Sequence, residues 1–122
     1  MSYHFENKTL LPSAKRTDAS PPPGEAVDVT MFNKARLYLN VSAQGSYTDE
    51  KLDVDIESQD PVSENWVVIA SFAQVGDVTG SLGVQESILL TDLGGKIRAV
   101  ATLSGTAKDY TFSVSAVLKR DF

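Results

Sequence analysis

From Ala26 to Leu118 the sequence repeats with a period of two, and that alternation limits the fold more than any other feature. In "ARLYLNVSAQ", Leu37, Leu39 and Val41 alternate with Arg36, Tyr38, Asn40 and Ser42. "KLDVDIES" sets Leu52, Val54 and Ile56 against Asp53, Asp55 and Glu57. "DYTFSVSAVLKRDF" sets Tyr110, Phe112, Val114, Ala116 and Leu118 against Thr111, Ser113 and Ser115. Successive side chains of a strand point to opposite faces, so each segment predicts a half-buried antiparallel strand. "WVVIASF" reads slightly differently. Trp66, Val68, Ala70 and Phe72 share one parity, while Val67 and Ile69 are apolar on the other, which predicts cover on both faces. Only residues 84–93 retain a short helix as an alternative.

Turn signals separate these runs. "AQVGDVTGSLG" is glycine-rich and predicts a loop, and the double glycine of "GGKIRA" predicts a tight turn. About eight short strands at regular spacing point to an all-β protein, an antiparallel two-sheet β-sandwich of jelly-roll type. Its expected core contains Leu37, Leu39, Val41, Leu52, Val54, Ile56, Trp66, Phe72, Ile97, Leu103, Phe112 and Val114.

The first 25 residues do not alternate. Pro12 suits an edge strand, because proline cannot donate to a ladder. "SPPPGE" is the strongest breaker, and three consecutive prolines favour a stiff polyproline II segment. The expected organisation is an extended N-terminal arm over residues 1–25 and a sandwich over 26–122. A chain of 122 residues suffices for one modest core, and about 20 residues are too few for a second domain.

Composition narrows the function classes. A net charge of -5 argues against an electrostatic grip on nucleic acid. Without cysteine there is neither a disulfide framework nor a thiolate metal site. No apolar run reaches the roughly 20 residues that a membrane helix needs. "MSYHFENKTLL" lacks the order of a secretory signal, so use without export is expected.

Three candidate sites then remain. The acids Asp53, Asp55 and Glu57 lie at every second position, but a straight strand spreads carboxylates that calcium would need to converge. They are expected on the solvent face, with Arg98 or Arg36 as cross-strand partners. A nucleophile needs a base, and the one histidine, His4, lies in the N-terminal stretch with no G-x-S-x-G elbow elsewhere. The chain is therefore expected not to be an enzyme and to need no cofactor or metal. Trp66, the single tryptophan, is expected in the core, the alternative being a sugar-stacking residue at the surface.

"TLLPSAKRTDASPPPGEAVDVTMFNKARLYLNV", "LDVDIESQD", "NWVVIASFAQV" and "KIRAVATLSGTAKDYTFSVSAVLK" together resemble a group of small virion structural proteins of tailed bacteriophages. The resemblance runs from about Thr9 to Lys119. It implies a virion location after synthesis in the host cytoplasm, and a capsid decoration (cement) protein bound to the major capsid protein. The alternatives are a tail or head–tail component and a host-glycan-binding adsorption module. It also implies a cyclic homo-oligomer, while the acidic charge and the lack of a long apolar run leave neither nucleic acid nor membrane as an expected partner.

The partner contact is expected in the arm, at Lys8, Leu10, Leu11, Lys15, Arg16, Pro21, Pro22 and Pro23. A proline-stiffened segment loses less entropy on docking, and its basic residues suit a negative partner surface. Unpaired strand edges offer further places for chains to join.

Overall fold

The structure is a computed structural model that describes residues 3–80 and 83–121. Eight strands form: β1 (Tyr3–Arg16), β2 (Val27–Asp28), β3 (Lys34–Gln44), β4 (Lys51–Gln59), β5 (Trp66–Ser71), β6 (Val84–Leu90), β7 (Lys96–Ser104) and β8 (Tyr110–Asp121). They make two antiparallel four-stranded sheets, ordered β1-β8-β3-β6 and β2-β7-β4-β5. Only the β4–β5 connection stays within one sheet; every other one crosses to the opposite sheet. The all-β two-sheet sandwich is as the alternation predicts, and residues 84–90 are strand rather than helix.

Register explains why the alternating residues meet. In the first sheet Leu37 pairs with Ala116, Leu39 with Val114 and Val41 with Phe112. In the second, Leu52 pairs with Leu103, Val54 with Ala101 and Ile56 with Ala99. All twelve point inward and are buried. Paired residues share a face, so a slip of one position would turn each row to solvent. Fully burying a leucine or phenylalanine contributes about 1.5–3 kcal/mol, which makes that slip prohibitive.

The separate arm expected for residues 1–25 does not form. Tyr3–Arg16 is β1, paired antiparallel to β8 along its whole length, so the sandwich begins at Tyr3 rather than at residue 26. Leu10 and Leu11 are both buried in the core. The reason is physical: β8 would otherwise carry a row of unpaired backbone groups, and two leucines would lie in water. Register shifts between Thr9 and Leu11 and between Leu11 and Ala14 let adjacent leucines both turn inward.

Residues 17–26 then run beside β7. Ala19 accepts from the Leu103 N–H at 2.8 Å, and Gly24 donates to the Ala99 carbonyl at 2.9 Å. Gly24 passes so close to β1 that a Cβ there would overlap the Leu10 carbonyl.

Trp66 is the one member of the expected core that lies outside it. It is half-buried on β5, whereas the other eleven are buried. Ala70 pairs with the inward Ile56, but Val68 pairs with the outward Glu57. A bulge at Ile69 separates them and reverses the phase, so Trp66 and Val68 face outward while Ala70 and Phe72 face inward. Nor is β5 covered on both faces, since Val67, Val68 and Ile69 are all exposed.

Candidate interaction surfaces

The acidic row lies on the outer face of β4, and each member has its own partner. Glu57 accepts from Arg98 Nε at 2.8 Å, Asp55 accepts from the Ser71 hydroxyl at 2.7 Å, and Asp53 accepts from the Gln74 amide at 3.0 and 3.1 Å. Arg98 on β7 stands opposite Glu57, whereas Arg36 lies in the other sheet. Arg98 also stacks 4.2 Å above the Trp66 ring, covering one face of the indole. Among the described residues no three acids or histidines converge on one point. The side chain of His4 lies outside the described residues.

One end of the sandwich is clasped by acids that sequence reasoning did not single out. Glu50 is fully buried, and its carboxylate accepts from the backbone N–H groups of Thr48 (2.8 Å), Asp49 (3.3 Å) and Ala107 (3.3 Å). Asp49 accepts from the N–H and hydroxyl of Thr106. Neighbouring Glu50, then these Thr106 contacts, hold the Asp49 carboxyl below its ordinary range. Gly105, at φ +108°, leaves room for Glu50, whose backbone a Cβ would meet at 2.6 Å. Tyr110 lies beneath with its hydroxyl donating to the Gly76 carbonyl at 2.7 Å. Burial, then the charges of Tyr47, Glu50 and Asp77, push the phenol up to about 12. This end is tied by its own groups, and the S-Y-T-D-E run with G-T at 105–106 was the available sequence signal.

The residues expected to meet a partner are mostly committed within the chain. Leu10, Leu11 and Pro21 are buried. Lys8 pairs with Glu6 at 2.9 Å, and Lys15 with Asp109 at 3.5 Å. The Arg16 guanidinium donates to the carbonyls of Pro12 (2.7 Å), Ala14 (3.2 Å) and Phe112 (2.8 Å) and lies 4.5 Å over the Phe112 ring. Desolvation lowers its pKa. Pro22 and Pro23 stay at the surface. The basic character that marked this segment as a docking arm serves the strand's own edge.

No protein-family model matches the chain, and no curated protein sequence matches it. Solved structures do. The SPBc2 prophage-derived protein YomS matches with a TM-score of 0.54 at 11% identity, over 98% of this chain and 96% of YomS. VP2 of the infectious bursal disease virus subviral particle matches with a TM-score of 0.63 at 11% identity. That match covers 97% of this chain and 33% of the VP2 chain, so this chain spans about a third of VP2. At these identities what the three chains share is the fold.

Proposed function

We propose that this chain is a structural protein of a virion, and more narrowly a decoration protein seated on a shell of major capsid protein. The observation that carries the reading is the match along nearly its whole length to a prophage-derived protein, together with the same fold in part of the VP2 of a subviral particle. The strand order adds support: β1-β8-β3-β6 facing β2-β7-β4-β5 is how the eight strands of a jelly roll divide between its sheets, an architecture common among capsid domains. The role is mechanical rather than catalytic. The capsid contact lies on surface residues rather than on a free arm, with Pro22 and Pro23 the exposed part of the segment first expected to dock.

Sedimentation of the purified protein with purified heads and with purified tails tests this. Co-sedimentation with heads is expected. Binding to tails alone moves the protein to the tail or neck, and binding to neither overturns the virion role. A second reading, a host-glycan-binding module, is favoured by the position of Trp66 outside the core. A shift of Trp66 emission on adding host surface polysaccharide would support it, and a silent titration removes it.

A further inference from the structure

We infer that the free edge of β5 is a strand-addition site whose occupant is the same edge of a second copy of this chain. The inference is independent of the virion reading and begins with how the four sheet edges are finished. Natural sheets guard their edges with charge, proline, bulges, shortness or cover. β1 has Pro12, two register shifts, the inward-pointing pair Glu6 and Lys8, and Arg16 occupying its Pro12 and Ala14 carbonyls. β2 is two residues long and follows the proline-rich segment that lies along β7. β6 carries the charged Glu86 near its middle, opposite the inward Leu39.

β5 has none of the chemical guards. Its six residues, Trp-Val-Val-Ile-Ala-Ser, include no charge and no proline, and the bulge at Ile69 is its one irregularity. Val67, Val68 and Ile69 are 57%, 49% and 37% exposed. The nearest cation, Arg98, is already neutralised by Glu57. This is an apolar strip with unpaired backbone donors and acceptors, the form that pairs with another strand.

Charge selects the occupant and its direction. An uncharged strip gives a charged partner nothing to pair with, but it complements itself. The turn before β5 carries Asp60 and Glu64, while its far end runs into the neutral Ser71 and Phe72. Antiparallel pairing about a two-fold axis therefore sets the acidic turn of one copy beside the neutral end of the other. The two acidic turns are then about 20 Å apart at about 3.4 Å per residue, well beyond the roughly 8 Å over which salt leaves charges unscreened. The acidic rows on the two β4 strands sit three strand spacings apart, about 14 Å. Parallel pairing would bring the acidic turns together. The geometry is thus isologous, closing as a two-fold dimer with one continuous sheet of eight strands.

Sedimentation velocity of the full chain from micromolar to millimolar concentration tests it, together with Val68→Lys, which places like charges beside the two-fold axis. The wild-type chain is expected to dimerise as concentration rises. Val68→Lys should weaken dimerisation by at least about tenfold with an unchanged circular dichroism spectrum. Leu89→Lys, on the outer face of the other sheet, should leave it intact. Backbone amide exchange of the wild-type chain gives a reading that needs no variant: protection within Trp66–Ser71 should increase with concentration. A wild-type chain monomeric throughout, a dimer untouched by Val68→Lys, or dimerisation without added protection in β5 would each overturn the inference.

Discussion

The two lateral sides of the sandwich begin from similar strands and are finished in opposite ways. On one side β1 and the segment 17–26 close together: Leu10, Leu11 and Pro21 are buried, and Gly24 presses against the Leu10 carbonyl. On the other, β5 and β6 leave Val84, Ile88 and Leu90 half-buried and Val67, Val68 and Ile69 exposed. Both sides carry apolar residues, so hydrophobicity alone does not decide which one seals. The sealed side has residues 17–26 laid along it, whereas the irregular chain after β5 on the other side buries Phe72, Val75 and Val78 and leaves Val67, Val68 and Ile69 uncovered. A covered edge contributes to folding, whereas an uncovered one is left for association.

The largest expected contrast is in stability. Leu10→Ala should destabilise the fold by about 2–5 kcal/mol in urea denaturation, as a fully buried leucine does. Val68→Ala should change it by less than about 0.5 kcal/mol. Equal losses at the two positions would erase the distinction between the sides. Gly24→Ala comes next, with an expected loss of about 1–3 kcal/mol because its methyl must push β1 and the proline segment apart. A neutral result there would mean that the cover is loosely held.

On the open side Arg98→Ala should uncover Trp66 and red-shift its fluorescence, at less than about 1 kcal/mol, since the stacked pair is only partly buried. An unchanged emission spectrum would place the indole in a drier setting than the structure does. The smallest effect is alkaline. Tyr110, which pairs with Arg16 of the sealing strand, has its pKa raised from an ordinary 10 to about 12. The folded state thus prefers the neutral phenol, and that stability is complete below pH 10 and is lost as pH rises through about 12. Denaturation midpoints should fall over that window, and Tyr110→Phe should flatten the fall.

Much of this was readable from residue order. Leu37, Leu39 and Val41 alternate in a regular strand, and eleven of the twelve expected core residues are buried. Trp66 was misplaced because parity was counted from Phe72 back through Ile69, and one bulged residue reverses every face beyond it. Leu10 and Leu11 hid β1 for a related reason, since two adjacent inward side chains are incompatible with a flat strand. Pro12 did mark an edge strand, but the prolines at 21–23 drew attention to stiffness and away from what lies beside them. The acids of the clasp were hard to pick out because the local S-Y-T-D-E run gains its meaning only when Thr106 and Ala107, 57 residues away in the chain, come against Asp49 and Glu50.

The place of β8 has a consequence for how the protein is made. β8 lies between β1 and β3, yet it follows every other strand in the chain. During synthesis β1 and β3 therefore wait for a neighbour that emerges last, while β4, β5 and β7 can already assemble. The pairings of the finished sandwich join strands far apart in the chain, a topology that folds slowly. Until β8 arrives β3 can already pair with β6, whereas β1, which carries Leu10 and Leu11, has no strand beside it. Pairing of β8 is the step that joins β1 to the first sheet, and a ribosome stalled before residue 110 would hold a chain whose β1 has nothing to pair with.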